Sequence, residues 1–437
     1  MIVAKFGGSS LADAPRFRQV RDILAADPER RYVVLSAPGK RFDDDVKITD
    51  LLLLAHQDVA NGGNPESRFD AIRKRYEEIS EGLGVPGCVC SEMDAVFQAI
   101  QGGASRDFAA SRGEYLCGLL FSRWLSLPFL DAAEAVRFHE DGRLDDLTTG
   151  ELLHEALLRH PTAVLPGFYG ADSQGAIHVF SRGGSDVSGA LAAAAADADL
   201  YENWTDVTGF RSADPRIVPD ASYISFLTYR ELRELSYMGA TVLHEEAVFP
   251  VRRAGIPTSI RNTRDPLHPG TIIQSSNRYQ AKVPAVTGIA GKPGFSVIVI
   301  EKARMNDEVG FGRKVLSILE ELRISFEHLP TGIDALCAMV PTRSLEGVRE
   351  QVLARIEDAV HPDHVSVQDG IALVACVGAG LFKQHGTIAR LFTAVSEQGI
   401  VIRTMFQAPS ELSIIIGVNE ADLSPAVRSI YDAFIRN

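Results

Sequence analysis

The chain has 437 residues, of which 46% are hydrophobic and 23% charged, and its formal net charge is −13. This length predicts two or three domains, and the acidic balance argues against a general role in binding nucleic acids or anionic membranes. No apolar run approaches the roughly 20 residues that span a bilayer, and the first residues lack the layout of a signal peptide. The odd, scattered set of cysteines fits a reducing compartment, so we expect a cytoplasmic protein.

The first informative segment is Lys-Phe-Gly-Gly-Ser-Ser at residues 5–10, directly after an apolar run at residues 2–4. Glycines let the backbone approach a polyanion, and free N–H groups and the lysine ammonium can then face a phosphate. Apolar residues with helical spacing follow at residues 14–24, so the turn opens onto a helix N-terminus that favours negative charge. The lysine precedes the glycines, unlike in the common phosphate loop G-x-x-x-x-G-K-[ST]. We predict a phosphate-binding turn, although a flexible turn after a strand has the same composition.

The first part of the chain alternates between strand-like and helical patterns. Strand-like runs occupy residues 2–6, 32–36, 163–166 and 200–204, and most of the segment 50–127 is helical in pattern. Strands separated by helices imply crossover connections and a mainly parallel sheet with helices on both faces. Ligands of such folds gather at the carboxyl ends of the strands, so we expect the polar motifs to meet there.

A second glycine-rich turn, Arg-Gly-Gly-Ser-Asp at residues 182–186, precedes an alanine-rich run that predicts a strong helix. The turn would form another anion site, and Arg182 could hold a carboxylate with two parallel hydrogen bonds. An ordinary N-cap would explain Ser185 or Asp186, but it would not explain an arginine next to two glycines.

Further polar groups follow the same strands. Thr205 and Asp206 come after the strand at residues 200–204 and could bind a nucleotide, its hydroxyls or its metal ion. The segment Asp-Pro-Arg at residues 214–216 adds a cation on a stiff turn. Glu114 is predicted to lie at a helix start, where it suits an amine or the helix dipole. Two anion-binding turns, a Thr-Asp pair and an amine-seeking glutamate are typical of a kinase with a zwitterionic acceptor.

The composition changes around residues 262–282, which are rich in turn-forming and polar residues, so we place a domain boundary near residue 277. We predict a catalytic domain at residues 1–276. Beyond it, residues 283–365 and 370–437 each have a βαββα pattern, which predicts two ferredoxin-like α+β modules. The alternative is that these elements are unrelated surface elements.

The ordered motif set resembles aspartate kinase (aspartokinase), a member of the amino acid kinase superfamily with C-terminal ACT domains. The motifs that carry the resemblance lie at residues 5–10, 111–114, 167–168, 182–186, 205–207, 214–216 and 235–240. The length resembles that of the monofunctional enzymes rather than the longer fusions with homoserine dehydrogenase. The resemblance implies an α/β fold: a mainly parallel sheet sandwiched by helices (the amino acid kinase fold), followed by two α+β ferredoxin-like ACT domains.

The resemblance also implies an activity. The enzyme would use ATP and Mg²⁺ to phosphorylate the side-chain carboxylate of L-aspartate, giving 4-phospho-L-aspartate, the first step of lysine, threonine and methionine biosynthesis. Because a carboxylate with a pKa near ~4 is already ionised at neutral pH, this reaction needs no general base. No side-chain metal centre is expected, since no second Cys or His pair matches the spacing of Cys88 and Cys90.

Site roles follow from the same resemblance. Lys5 would contact the transferring phosphoryl group, and Asp186 would organise the groups that handle the phosphates. Arg182 would hold the α-carboxylate of aspartate, and Glu114 its ammonium group. The other residues implied in substrate binding are Ser36, Thr49, Phe168 and Ser185. Those implied in nucleotide binding are Lys5, Gly7, Gly8, Ser9, Thr205, Asp206, Arg211 and Arg216.

The chain departs from the family pattern at two positions. Many aspartokinases carry a nucleotide-contacting lysine where this chain has Thr241, and often a tyrosine where it has Arg211. We hypothesise that Arg211 partly replaces the missing charge near the nucleotide phosphates. The alternative is that Arg211 is an ordinary solvated side chain.

ACT modules, by the same resemblance, pair across an interface and bind amino acids there. Gly312, Glu327 and Asp334 are candidates for an effector pocket, since carboxylates suit the ammonium groups of lysine. We expect inhibition by lysine, alone or together with threonine. We also expect a homodimer joined through these modules, which could assemble further into a dimer of dimers.

Two alternatives remain at this level. A related kinase that forms acyl phosphates would act on glutamate or N-acetylglutamate, but Glu114 would lack an ammonium partner on an N-acetylated acceptor. A catalytically silent amino-acid sensor would explain Thr241, but it would not explain why Lys5, Arg182 and Asp186 are all present.

Overall fold

The computed structural model describes residues 1–181, 183–240, 243, 245–276, 283–407 and 412–436. They form two compact units. The first comprises Met1–Phe210, Tyr223–Ser236 and Thr241–Gln280, and the second comprises Arg211–Ser222, Tyr237–Ala240 and Ala281–Asn437. Within the described ranges, no helix has both the length and the apolar character needed to span a membrane.

The first unit is built on a seven-stranded sheet and a two-stranded ribbon. The strands are β1 (Ile2–Phe6), β2 (Arg30–Leu35), β3 (Ala163–Pro166), β4 (Tyr169–Ala171), β5 (Ile177–Val179), β6 (Leu200–Thr205), β7 (Phe226–Thr228), β8 (Thr258–Asn262) and β9 (Thr271–Gln274). The large sheet has the order β3-β2-β1-β6-β8-β9-β7, and its pairs are parallel except β8 with β9. The predicted mainly parallel sheet is confirmed.

The strand order explains where a ligand site belongs. From β1 the chain continues to β2 and β3 on one side of the sheet, whereas β6 and β8 extend the other side. The order therefore reverses between β1 and β6, and sheets of this class bind ligands beside the carboxyl ends of strands at such a point.

Helices cover this sheet, as the pattern predicted. They are α1 (Ala14–Ala25), α2 (Ile48–Ala60), α3 (Glu66–Leu83), α4 (Cys90–Gln101), α5 (Arg106–Leu125), α6 (Ala132–Ala135), α7 (Asp146–Leu158), α8 (Gly184–Ala195), α9 (Tyr229–Tyr237) and α10 (Phe249–Ala254). Helix α1 begins where Asp13 accepts a hydrogen bond from the Arg16 N–H at 2.9 Å. Its buried face packs into the same core as Phe6 of β1 and Phe121 of α5.

The second unit is built on one antiparallel sheet of five strands. Its strands are β10 (Gly288–Glu301), β11 (Ala335–Pro341), β12 (His364–Val377), β13 (Thr404–Gln407) and β14 (Ser413–Asn419), in the order β11-β10-β12-β14-β13. Strands β10 and β12 pair from Gly288↔Val377 to Glu301↔His364, with bulges near Phe295. The elements of both predicted modules therefore share a single sheet.

Amphipathic helices pack on this second sheet. They are α11 (Phe311–Glu321), α12 (Arg349–Val360), α13 (Thr387–Ser396) and α14 (Leu423–Tyr431). Val315 of α11 and Ile356 of α12 belong to one apolar core with β10 and β11, while Leu391 of α13 and Val427 of α14 belong to a second core with β12 and β14. The predicted fold class is confirmed, and the predicted boundaries of the modules stay predictions.

Candidate active site

A cavity of about 540 Å³ lies in the first unit, lined by residues that follow β1, β2, β6 and β8. The lining residues are Gly8, Ser9, Ser36, Ala37, Pro38, Gly39, Lys40, Arg41, Phe42, Asp43, Lys47, Thr49, Glu114, Asp206 and Arg264. The predicted substrate residues Ser36, Thr49 and Glu114 thus share a cavity with the predicted nucleotide residues Ser9 and Asp206. The polar motifs meet at the carboxyl ends of the strands, as expected.

Lys5 and Asp186 form a mostly buried ion pair beside this edge of the sheet. The Lys5 Nζ lies 2.6 Å from Asp186 Oδ1, and the Asn203 amide donates to the same oxygen at 2.9 Å. The Tyr201 hydroxyl donates to the carbonyl of Asp186 at 3.1 Å. Helix α8 packs closely on β6 and β1 at Gly189, where a Cβ would lie 2.6 Å from the Tyr201 hydroxyl oxygen and 3.0 Å from the Lys5 Cβ. Strands β1 and β6 therefore fix the ammonium against the first turn of α8.

The glycine-rich turn after β1 packs directly on the loop after β2. A Cβ on Gly8 would lie 2.7 Å from the Ala37 carbonyl oxygen, and a Cβ on Gly39 would lie 2.6 Å from the Gly8 carbonyl carbon. The Gly39 N–H donates to the Gly8 carbonyl at 2.8 Å. The Gly7 N–H donates to the Trp204 carbonyl at 3.0 Å, so it is committed to the sheet and is not available to a phosphate. Gly8 and Ser9 line the cavity.

Glu114 projects into the cavity from the middle of α5, and the prediction that it lies at a helix start was wrong. The helix begins at Arg106, where the Ser105 hydroxyl caps it by accepting from the Phe108 N–H. Glu114 is 7% exposed, and its Oε2 finds no hydrogen-bond partner among the described residues. Burial raises the pKa of its carboxyl to about 8, against the opposing effect of the Ala37 N–H. A buried acceptor without a partner indicates a place for a ligand that donates.

The turn after β3 and the start of α8 hold the remaining acceptor residues. The Ser36 and Ser185 hydroxyl oxygens lie 2.6 Å apart. Phe168 has a φ of +80°, an uncommon value for a bulky residue, and its N–H donates to Ser188 Oγ at 2.9 Å. Its ring lies against Gly184, where a Cβ would be 2.1 Å from the ring. This tight packing fixes Phe168 and Ser185 relative to each other.

Two positions that the sequence singled out, Arg182 and Thr241, lie outside the described residues. The neighbouring Gly183 is the N-cap of α8 and has a φ of +60°, a left-handed conformation that glycine adopts without strain. The second predicted anion-binding turn therefore does open onto a helix N-terminus.

The ends of β6 and β8 are joined by hydrogen bonds. Thr205 donates through its hydroxyl to Asp206 at 3.2 Å, and its carbonyl accepts from the Thr263 N–H at 2.9 Å. The Thr263 hydroxyl in turn lies 2.5 Å from the Ser10 hydroxyl. The predicted nucleotide residues Thr205 and Asp206 are thus tied to the glycine-rich turn after β1.

Arg211 and Arg216, both predicted to bind the nucleotide, belong to the second unit, whereas the cavity residues belong to the first. The Arg216 guanidinium pairs with Asp214 at 2.6 Å and its side chain is 87% exposed. Arg211 donates to the Ala221 carbonyl at 2.8 Å. Their roles in nucleotide binding stay predictions.

The predicted effector residues are held by different parts of the second unit. Glu327 accepts a hydrogen bond from the Tyr237 hydroxyl, whereas Asp334 accepts one from the Arg304 N–H at 2.7 Å. Gly312 lies in the first turn of α11, where a Cβ would lie 3.8 Å from Leu336. The role of these residues in effector binding also stays a prediction.

The sequence analysis missed the loop at residues 37–47 and the buried pair that supports it. Arg75 is 4% exposed and donates to the Gly39 carbonyl at 3.0 Å and to both oxygens of Asp45 at 2.7 Å. Although burial acts in the opposite direction, hydrogen bonds from Arg41 and the charge of Arg75 hold the pKa of Asp45 well below its usual value. The local sequence shows only a run of charges, and Arg75 is remote from it in the chain.

Known proteins match this chain over almost its full length. The sequence model of the Amino acid kinase family matches residues 1–262, and that of the ACT domain matches residues 374–434. Aspartokinase 3 of Bacillus subtilis is 38% identical over 99% of this chain and 98% of its own length. The crystal structure of Clostridium acetobutylicum aspartate kinase has 46% identity and a TM-score of 0.92, with 99% of each chain covered.

Escherichia coli aspartokinase III is a more distant relative, 26% identical over 99% or more of both chains. It matches as the complex with aspartate and ADP, with a TM-score of 0.74, and as the complex with lysine and aspartate, with a TM-score of 0.76.

These similarities over the full length decide between the alternatives that the sequence left open, because they point to a working enzyme with aspartate as its acceptor. The match to the ACT domain implies allosteric regulation. The chain therefore belongs to the amino acid kinase family, and within it to the aspartate kinases, enzymes that phosphorylate aspartate.

Proposed function

We propose that this aspartate kinase transfers the γ-phosphoryl group of ATP to the side-chain carboxylate of L-aspartate. The product is 4-phospho-L-aspartate, and the reaction is the first step of lysine, threonine and methionine biosynthesis in the cytoplasm. The observation that carries the proposal is that Glu114 Oε2 has no hydrogen-bond partner among the described residues. Glu114 lines a cavity bordered by the glycine-rich turn, beside the Lys5–Asp186 pair.

Glu114 recognises the ammonium group of the acceptor. Its Oε2 is buried without a partner among the described residues, and an ammonium donor would satisfy it. Because an adjacent positive charge favours the ionised form, bound aspartate lowers the pKa of this carboxyl from about 8. Ser36, Thr49, Ser185 and Phe168 complete the acceptor site.

Arg182, outside the described residues, holds the α-carboxylate of aspartate. Its place next to the N-cap of α8 supports this role.

Lys5 acts on the phosphates. Its Nζ lies 3.6 Å from where a Cβ on Gly7 would be, so the ammonium points back along the glycine-rich turn. The barrier to this reaction comes from bringing two anions together and spreading charge over the transferring phosphoryl group. A fixed ammonium lowers that barrier without rearrangement, and Asp186 and Asn203 keep it in place.

Mg²⁺ fits the donors near the cavity. In kinases it is held by one or two carboxylates together with phosphate oxygens and water. Across the ranges that the structure covers, no cluster of three or more His, Cys, Asp or Glu could hold a metal by itself. The carboxylates of Asp206, which lines the cavity, and Asp186 are the oxygen ligands that suit Mg²⁺ carried by the nucleotide. Bound Mg²⁺ would neutralise phosphate charge.

Lysine, alone or with threonine, is the proposed feedback inhibitor. The support is the ACT domain match and the similarity to E. coli aspartokinase III, which was solved in complex with lysine and aspartate. Gly312, Glu327 and Asp334 are the proposed contacts. The ACT domains would join two copies of the chain into a homodimer, and two dimers could associate further.

Trapping the acyl phosphate with hydroxylamine tests the proposal. Purified protein is supplied with Mg-ATP and with aspartate, glutamate or N-acetylglutamate in turn, and Lys5→Met is the inactive control. We expect hydroxamate from aspartate, and we expect lysine to suppress it. Hydroxamate from another acceptor alone, or from none, would overturn the proposed reaction, and insensitivity to lysine would overturn the proposed inhibitor.

A further inference from the structure

The turn that follows β8 is anchored on the glycine-rich turn after β1. Thr263 is 1% exposed, its hydroxyl lies 2.5 Å from Ser10 Oγ, and its N–H donates to the Thr205 carbonyl at 2.9 Å. Asn262 fixes the backbone of Arg264, because its side-chain oxygen accepts a hydrogen bond from the Arg264 N–H at 2.9 Å. The backbone of Arg264 is therefore held beside the ends of β1 and β6.

Arg264 lines the cavity together with Gly8, Ser9 and Asp206. It is exposed, and its guanidinium forms no hydrogen bond or ion pair with any residue that the structure describes. Arg261, on the same strand and turn, is different: it pairs with Glu202 at 3.3 Å and stacks over a tryptophan ring. Arg261 supports the fold, whereas Arg264 faces the cavity.

The other cations that line the cavity either bind neighbouring protein groups or lie close in sequence to a proposed acceptor contact. Arg41 pairs with Asp45 at 3.0 Å and with Glu78 at 2.8 Å, and Lys40 donates to the Asp43 carbonyl at 2.9 Å. Lys47 is the N-cap of α2, so it lies two residues before Thr49, a proposed acceptor contact. Arg264 is therefore the cavity-lining cation on the turn that hydrogen bonds tie to the segments after β1 and β6, which carry the proposed nucleotide contacts Ser9 and Asp206.

We propose that Arg264 binds the phosphates of the nucleotide. The inference rests on the proposed function, since it places ATP at this cavity. A guanidinium matches two phosphate oxygens with parallel hydrogen bonds. In a chain with a net charge of −13, phosphates need local cations, all the more because Asp206 lines the same cavity.

Kinetics and direct binding test this role. Arg264→Ala, Arg264→Lys and Arg264→Gln are compared with Arg159→Ala, a control at an arginine that is 72% exposed and does not line the cavity. The hydroxamate assay gives KM for ATP and for aspartate, and calorimetry gives the affinity for ATP and for adenosine. We expect Arg264→Ala and Arg264→Gln to raise KM for ATP by about 10- to 100-fold. Adenosine affinity and KM for aspartate should change by less than about 2-fold, and Arg264→Lys should recover part of the loss.

An unchanged affinity for ATP in Arg264→Ala and Arg264→Gln would overturn the inference. So would a rise confined to KM for aspartate, or an equal loss of ATP and adenosine binding. Failure of the proposed function is distinguishable, because the unsubstituted protein would then form no aspartyl hydroxamate at all. Thermal unfolding of each variant separates weakened binding from loss of the fold.

Discussion

The two units of the molecule treat buried polar groups differently. The first unit buries the charged side chains of Lys5, Asp45, Arg75, Arg112, Glu114, Asp172, Glu202 and Glu231. In the described part of the second unit, the buried polar side chains are the uncharged Ser212, Thr287, Ser296, Thr387 and Ser413. Ion pairs of the second unit, such as Arg349 with Asp369, remain partly exposed.

This difference can be related to the cost of burying charged groups. Removing a charge from water costs several kcal/mol unless partners compensate. The first unit compensates Lys5 with Asp186 and Arg75 with Asp45, and both pairs lie beside or support the cavity. Glu114 Oε2, the oxygen proposed to accept from the ligand, has no hydrogen-bond partner among the described residues. Part of the buried charge of the first unit thus lies at the cavity or supports it, whereas the described interior of the second unit is left to apolar packing and uncharged polar groups.

Removing the ammonium from the first unit should have the largest effect. Lys5→Met removes the cation proposed to act on the transferring phosphoryl group and leaves Asp186 without its partner, so we expect kcat to fall by about 10³-fold. The same substitution at Lys314, which pairs with Glu308 at the surface of the second unit, serves as the control and should leave kcat nearly unchanged. Hydroxamate rates measure both variants. If the rate of Lys5→Met stays within about 10-fold of the unsubstituted rate, the buried charge of the first unit does not serve catalysis as proposed.

The buried pair that supports the loop at residues 37–47 should dominate stability. Arg75→Met leaves the buried Asp45 carboxylate with Arg41 as its remaining charged partner, so we expect the free energy of unfolding to fall by about 3 kcal/mol. Adding Asp45→Asn removes the carboxylate that has lost this partner and should restore part of the loss. Urea unfolding measures both variants. An equal loss in the single and double variants would show that the charge is not the cause.

The carboxyl of Glu114 should make the first unit sensitive to pH. Its pKa is about 8 in the folded protein, against 4.5 for the free side chain, so the folded state holds the extra proton between these values. Wild-type stability should therefore fall as pH rises through this window, by at most about 1.4 kcal/mol per pH unit. Glu114→Gln removes this dependence, so its stability relative to wild type should rise between about pH 5 and about pH 9.

Urea unfolding without substrates at both pH values measures this difference. Glu92→Gln is the matched control, because a hydrogen bond from Arg123 lowers the pKa of Glu92 to about 2 and it stays ionised across the whole window. The difference in the free energy of unfolding between Glu92→Gln and wild type should be the same at both pH values. If this difference is also constant for Glu114→Gln, the raised pKa of Glu114 is contradicted.

The smallest effect is expected at the surface of the second unit. Arg349 donates two hydrogen bonds to Asp369, each of 2.8 Å, but the two side chains are 37% and 44% exposed. We expect Arg349→Ala to lower the free energy of unfolding by less than about 1 kcal/mol, and added salt to reduce the difference further. If Arg349→Ala lowers the free energy of unfolding as much as Arg75→Met does, the exposed pairs of the second unit matter as much for stability as the buried pairs of the first.

Sequence patterns located the glycine-rich turns of the candidate site because these patterns are local. A lysine and two glycines after an apolar strand, or two glycines before an alanine-rich helix, predict a turn at the end of a strand or at the start of a helix. The structure accordingly brings Lys5 and Asp186 together.

Features that depend on remote partners could not be predicted. Helix α5 is buried on several sides through small residues such as Ala109 and Gly113, which hides its periodicity and led to the wrong position for Glu114. Arg75 and Arg264 stand in ordinary polar surroundings, and only the folded chain shows which loop or cavity each one meets. Likewise, the alternating strands of the two modules predict a sheet but not their shared pairing, because several partners suit one pattern.

The pairing of β10 with β12 has a consequence for synthesis. A ribosome releases β10 and β11 before β12, so one long apolar edge stays without its neighbour until Val377 has emerged. Open edges of this kind recruit strands from other molecules. Nascent chains on neighbouring ribosomes of one mRNA could therefore exchange these strands with each other. Slow translation before residue 377 would lengthen the period in which this exchange is possible.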